Sequence, residues 1–227
     1  MNAGAVMDKG LIKQLELAMP TGLAGMIFDC DGVLLDSRDS NIMYYNLVRR
    51  YFGFPPISQA DERYVHMHTG MQSLSRVLPA PYLQRLGEAM QGIDYMRDLV
   101  PHITLQKGII DLLDWLAERG VRLAVHTNRT TLAEDVLLKF GLKEFFDIVV
   151  TAKTHQPKPS PEGIFAILGA WGVDPEQVMF VGDSVLDEKA AAGAGVALVA
   201  YRNPELAGAI HVDDFNEFRR ALGGFLE

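Results

Sequence analysis

From Gly108 to the C-terminus the chain alternates between two hydrophobic periods, and this limits the fold more than any other feature of its 227 residues. Ile109, Leu112, Leu113 and Leu116 recur at helical spacing, Gly120 stops that helix, and VRLAVH at 121–126 reads as a strand. Thr131, with Glu134 three residues on, predicts the capping box of the next helix. FDIVVT at 146–151 is a further strand, and Ser160 and Pro161 predict the N-cap and first position of the helix after it. Strands follow at 177–181 and 196–200 with a helix between them, then a short strand near Ile210 and a helix from Asp213. Strands separated by helices of this kind need crossover connections, so the expected class is α/β with a parallel sheet and right-handed crossovers. AGMIFD at 24–29 predicts one more buried strand. Before it, Leu11, Ile12, Leu15 and Ala18 predict an amphipathic helix over 8–18, ended by Pro20.

Residues 37–106 break this rhythm. Ile42, Tyr45, Val48 and Phe52, then Leu83, Leu86, Met90 and Ile93, recur at helical spacing with no clear β run. A small helical domain is therefore expected at 37–106, inserted after the first strand of a core made of 1–36 and 107–227. The insert holds seven arginines, no lysine and six acids, a net +1, whereas the rest of the chain stands at −9. Six of the seven tyrosines also lie in it.

The total charge of −8 argues against a nucleic-acid or anionic-membrane partner. One cysteine, Cys30, allows neither an intramolecular disulfide nor a cysteine zinc site, and fits a reducing compartment. Charge-free stretches reach only about 12 residues, short of the ~18 that suggest a membrane span. Scattered charges before Pro20 do not resemble a secretory signal, so a cytoplasmic location is expected.

Four polar segments are read at the C-terminal ends of the expected strands: Phe28-Asp29-Cys30-Asp31-Gly32, His126-Thr127-Asn128, Lys158-Pro159, and Gly182-Asp183-Ser184-Val185-Leu186-Asp187. Open parallel sheets bind ligands at that edge, so the four converge on one crevice. Each alone has an ordinary explanation. Asp-Gly is a common turn pair, a lone threonine caps helices, Lys158 between prolines reads as a solvated loop charge, and Ser184 with Asp187 is a capping box. The joint pattern is far more specific.

That pattern resembles the haloacid dehalogenase superfamily of phosphotransferases. FDCDGVLLDS matches its first motif, HTN its second, KPSPEGIF its third and GDSVLDEKAAAGAG its fourth, in the right order and over about 25–201. The helical insert after the first motif resembles the phosphoglycolate phosphatase and β-phosphoglucomutase branch. The resemblance implies a Rossmann-like core with an all-helical cap, and hydrolysis of a small phosphate monoester by way of an aspartyl-phosphate. Asp29 would be the nucleophile. Asp31 would be the general acid and then the base, holding its proton with the help of like-charged aspartate neighbours. Mg²⁺ would be held by Asp29, the Asp31 carbonyl and Asp183, with Asp187 an accessory acid near the metal or Lys158. Thr127, the Asn128 backbone and Lys158 would hold the phosphoryl oxygens. The implied partner is a small phosphorylated metabolite, with phosphoglycolate-like acids first. A sugar-phosphate mutase shares every core motif and is the alternative; a non-catalytic binding protein on the same fold is a third. Nothing here sets an oligomeric state.

Arg49, Arg50 and the loop His68-Thr69-Gly70-Met71 are the candidates for reading the substrate's far end, against the plainer view that the insert's arginines are solvated charges. Cys30 is expected to face away from Asp29 as a buried apolar residue. His66 and His68, two apart, would point in different directions on a helix and make a poor metal pair. His126 and His155 flank the phosphate residues, and read first as strand or loop histidines. Met43, Met67, Met71, Met90 and Met96 read first as adaptable core.

Overall fold

The computed structural model describes residues 9–67, 70–130 and 132–226. Its strands are β1 Gly25–Phe28, β2 Leu35–Asp36, β3 Thr104–Leu105, β4 Arg122–Thr127, β5 Ile148–Thr151, β6 Val178–Gly182, β7 Ala197–Tyr201 and β8 Ile210–Val212. The helices are α1 Lys9–Ala18, α2 Arg38–Tyr51, α3 Gln59–Met67, α4 Gly70–Val77, α5 Ala80–Leu83, α6 Leu86–Gln91, α7 Ile109–Glu118, α8 Ala133–Lys139, α9 Glu162–Trp171, α10 Val185–Ala194 and α11 Phe215–Leu226. By contact the chain divides into two units, one formed by the chain up to Leu34 and from Leu105 onward, the other by Leu35–Thr104. Both joints fall two residues earlier than the sequence pattern suggests. Gln106 is on the side of the first unit because its N–H donates to Leu34 O at 3.0 Å and its side chain to Gly32 O at 2.9 Å.

The first unit is built on a six-stranded sheet in the order β5-β4-β1-β6-β7-β8, all pairs parallel. Every residue of β1 (GMIF) and β6 (VMFVG) is buried. Strands covered on both faces have no solvent side on which to place a polar residue, hence their unbroken apolar runs. One face is filled by Ile27, Ala124, Val150, Phe180 and Leu198 packed on α9 and α10. Helix α7 buries Ile109, Leu112, Leu113 and Leu116 along one stripe, each worth about 1.5–3 kcal/mol against exposure. Helix α9 begins at Glu162, not at Ser160. Pro161 is its N-cap, and the Ser160 hydroxyl instead accepts from Glu162 N–H at 3.3 Å. The cap expected at Thr131 lies outside the described residues. None of the described helices is long and apolar enough to cross a membrane.

The second unit is helical, with a core of Tyr45, Val48, Ile57, Val65, Leu74, Val77, Leu78 and Ala89. Its aromatics serve that packing: Phe52 and Phe54 each stand about 5.0 Å from the Tyr82 ring, and Tyr51 meets Phe52 edge-on. Two methionines expected in the core are not there. Met71 is 65% exposed and Met90 49% exposed; on α6 it is Ala89 that turns inward.

Candidate active site

The strand order places β1 between β4 and β6, so the C-terminal ends of these three neighbours present their following residues side by side. Asp29 comes directly after β1. Its N–H donates to Val181 O at 2.9 Å, which carries the ladder one residue past the strand and fixes the backbone under the carboxylate. Oδ1 of Asp29 accepts from the Cys30 N–H at 2.7 Å and from Lys158 Nζ at 2.6 Å. Both contacts fall on the same oxygen. Cys30 itself is buried, and burial pushes its thiol far up, so it is no nucleophile.

Lys158 is the pivot of the site. Its side chain is 3% exposed and its ammonium stands 2.6 Å from both Asp29 Oδ1 and Asp187 Oδ1. Burial alone would lower its pKa, but the Asp29 and Asp187 carboxylates outweigh that and leave it raised. The loop that brings it in from β5 is clamped by Asn128. The Asn128 Oδ1 accepts from Lys158 N–H at 2.7 Å, and its Nδ2 donates to Lys158 O at 3.0 Å. Asn128 thus acts through its side chain on Lys158, a use that the sequence pattern, which marked its backbone, does not reveal.

Asp187 divides its two oxygens between two tasks. Oδ1 takes Lys158, while Oδ2 accepts from the Ser184 hydroxyl at 2.6 Å, Ser184 N–H at 3.0 Å and Asp183 N–H at 3.3 Å. The Ser184–Asp187 capping box is therefore present and also orients the lysine's partner. Asp187 fits only because residue 182 is glycine: a Cβ there would lie 2.4 Å from its own Cβ.

Asp183 has its pKa pushed up to about 7, first by burial and then by the Asp187 charge, with Lys158 opposing. Asp29 is likewise raised, by burial before the Lys158 attraction and the Asp187 and Asp183 charges. One buried ammonium shared among these acids leaves negative charge in excess. Asp29, Asp183 and Asp187 each offer an oxygen within 4.8 Å of the others, and no other such group occurs among the described residues. Gly32, at φ +83°, lies against them; a Cβ on it would meet Asp183 Oδ2 at 1.9 Å.

Asp31 departs from expectation. Its carboxylate faces a cation: Arg129 donates Nε to Oδ2 at 2.7 Å and Nη2 to Oδ1 at 2.6 Å, a bidentate pair. Arg129 N–H also donates to the Thr127 hydroxyl at 3.2 Å. Arg129 is the residue the sequence reading missed. The signal was its position, two residues after Thr127 at the end of β4. Asp29, Asp31, Thr127, Asn128, Arg129 and Lys158 line one cavity of about 280 Å³. Beneath it His126 is a neutral strand histidine. Burial and then Lys158 lower its pKa to about 3, and its Nδ1 is buried without a hydrogen-bond partner. His155 bonds the neighbouring Thr154 hydroxyl at 3.0 Å.

The candidates in the helical unit fare differently. Arg49 donates to Pro55 O at 2.6 Å and to Val77 O, and lies over the Phe54 ring, so its guanidinium fastens the unit's own loops. These bonds give Arg49 a structural task within its own unit, beside the expectation that it reads substrate. Arg50 is exposed, at the rim of a hollow of about 160 Å³ formed with Met43, Leu47 and Phe54. Gly70 and Met71 open α4 rather than forming a loop. His68 and Thr69 lie outside the described residues, so neither the histidine pair nor the rest of that loop is placed.

A family model for haloacid dehalogenase-like hydrolases matches residues 26–201. The chain belongs to this family. This hydrolase is 29% identical over 190 residues to the phosphoglycolate phosphatase of Chromobacterium violaceum, across 78% of this chain and 84% of that one. It is 26% identical over 203 residues to the N-acetylmuramic acid 6-phosphate phosphatase of Pseudomonas aeruginosa, across 85% of each. Among solved structures it is similar to a haloacid dehalogenase superfamily hydrolase of subfamily IA, variant 1, from Geobacter sulfurreducens. The TM-score is 0.78, with 34% identity over 89% of this chain and 96% of that one.

Proposed function

We propose that the hydrolase cleaves small phosphate monoesters, with Asp29 as nucleophile. The observation that carries this is the buried Asp29–Lys158–Asp187 set opening on the cavity. Two hydrogen bonds on Oδ1 leave Oδ2 of Asp29 as the attacking oxygen, giving an aspartyl-phosphate. Lys158, the Thr127 hydroxyl and backbone N–H groups at the end of β4 hold the phosphoryl oxygens. Asp31 protonates the leaving alkoxide and then activates water. Because Arg129 grips both of its oxygens, that pair parts before Asp31 carries a proton.

The acids fit a divalent cation. Their donors are all oxygen, the choice of Mg²⁺; Asp29 and Asp183 would hold it, with the Asp31 carbonyl that the family resemblance adds, while Asp187 keeps Lys158 and Ser184. Charge demands it as well. With all four carboxylates ionised against Lys158 and Arg129 the site is two charges negative before a phosphate dianion enters, and each close like-charge contact costs about 4 kcal/mol at an effective dielectric near 20. Without a cation the site relieves this by holding protons, as the raised pKa values of Asp29 and Asp183 indicate. Bound there, Mg²⁺ supplies charge neutralisation at the phosphoryl oxygens.

Phosphoglycolate and other small acidic phosphate esters are the first substrates to try, supported by the names of the relatives. The test is a panel of metabolite phosphates with Mg²⁺ and with chelator. Mg²⁺-dependent release of inorganic phosphate is expected. An isomerised sugar phosphate would make the protein a mutase, and inertness towards the whole panel would contradict catalysis.

A further inference from the structure

The nucleophile turn is held from behind by a residue far away in sequence. Gln106 is buried, and its amide makes three contacts at once: Nε2 donates to Gly32 O at 2.9 Å, and Oε1 accepts from Arg202 Nη1 at 3.1 Å and Tyr201 OH at 3.3 Å. Chemistry fixes the orientation of the amide, since a guanidinium only donates and a carbonyl only accepts. Gln106 N–H adds a fourth bond, to Leu34 O at 3.0 Å. The residue therefore grips both ends of the segment 32–34.

Its anchor is rigid. Tyr201 is fully buried and stacked on Phe215 with ring centroids 4.2 Å apart. Arg202 sits at φ 51°, a left-handed conformation that is unfavourable for a non-glycine residue. It is held there by its N–H on Val212 O at 2.8 Å and its Nε on Asp213 O at 3.0 Å. That conformation turns the guanidinium onto Gln106. Such strain persists where the surroundings require it.

What Gln106 holds is the site's tightest point. Gly32 follows Asp31 directly and has no room for a Cβ beside Asp183 Oδ2. A shift of the Gly32 peptide moves Asp31 and disturbs the contact with Asp183 together. We propose that Gln106 is a positioning residue of the reaction: through Gly32 O it ties the Asp31 turn to the end of β7 and keeps Asp31 and Asp183 in register. This rests on the phosphatase reading for its kinetic consequence but not for its structural one.

Two substitutions test it. Gln106→Met removes the side-chain bonds with a neutral chain of similar length. Gln106→Glu keeps oxygens for Arg202 and Tyr201 and replaces the donor to Gly32 with an acceptor. In both, kcat is expected to fall about tenfold with KM within about twofold. Native-state amide exchange at Leu34, whose N–H donates to Cys30 O at 3.0 Å, should quicken about tenfold, while β4 and β5 keep wild-type protection. A folded Gln106→Met enzyme with wild-type kcat overturns the proposal. If the wild-type protein itself releases no phosphate from any ester, the phosphatase reading fails instead. The exchange at Leu34 then decides alone, and unchanged exchange overturns the proposal.

Discussion

The two units spend their polar side chains in opposite ways. At the strand ends of the first unit, buried polar groups converge and each serves more than one partner: Lys158 on two acids, Asp187 on a lysine and a helix cap, Asn128 on both the N–H and the C=O of Lys158. In the helical unit the polar bonds are separate contacts that do not converge on one point. Arg49 ties the loop carbonyl of Pro55 to the carbonyl of Val77 at the end of α4, Arg85 pairs with Glu88, Arg97 with Asp98 and Arg76 with Asp61. The difference teaches that a run of arginines is not by itself an anion site. Exposed pairs such as these are screened by solvent, contribute little to stability and hold a surface in shape. Buried convergent charges need one another, and removing one strands the rest.

The sharpest way to break that contrast is at Lys158. Lys158→Met should lower kcat by about 10³-fold or more, because the phosphoryl charge and three acids lose their one buried ammonium. Steady-state kinetics on the best ester checks it, and circular dichroism should find the fold retained. Next is Arg49→Ala, expected to cost about 1–2 kcal/mol through the lost bonds to Pro55 and Val77 and the lost packing on Phe54, read in urea melts, with kcat within about twofold. A large loss of kcat in a stable Arg49→Ala protein would erase the distinction between the units.

His126 gives a smaller effect with a definite sign. Its pKa is lowered in the folded chain to about 3 from 6.5, so below pH 6.5 the unfolded chain takes up a proton that the folded one refuses. Its contribution to stability is complete above that pH and is lost as pH falls towards 3. Between pH 6.5 and 5 the loss is about 2 kcal/mol or less. His126→Gln should flatten that part of the stability profile. Smallest is Arg50→Ala: stability should change by less than about 0.5 kcal/mol. A KM rise of several-fold would mark Arg50 as the arginine of the helical unit that meets substrate, and an unchanged KM would leave it a solvated charge.

Much of the site was legible because a parallel sheet converts sequence order into position. Once the strands are recognised, Asp29, Thr127 and Asp183 must share an edge, and the Ser184–Asp187 box is written in four residues. Partnership across long separations was not legible. Arg129 and Asp31 are 98 residues apart, Gln106 and Gly32 74, and Arg49 and Val77 28. Periodicity says which side of an element a residue occupies, not which group it will meet. Hence Asp31, expected among like charges, also meets a guanidinium, and Arg49, a candidate for reading substrate, bonds two carbonyls of its own unit. The exposed Met71 and Met90 have a simpler cause: on short helices each residue turns the side chain by about 100°, so Ala89 takes the inward place beside Met90, and on α4 Ser73, Leu74 and Val77 form the buried side while Met71 faces out.

The central claim is that Asp29 takes the phosphoryl group. The direct measurement is to mix the enzyme with Mg²⁺ and a ³²P-labelled ester that it turns over, quench in acid within the first turnover, and map the label by peptide mass spectrometry. A hydroxylamine-labile phosphate on the peptide carrying Asp29, absent from Asp29→Asn, is the expected result. Label at another residue, or turnover equal to wild type in Asp29→Asn, would contradict it.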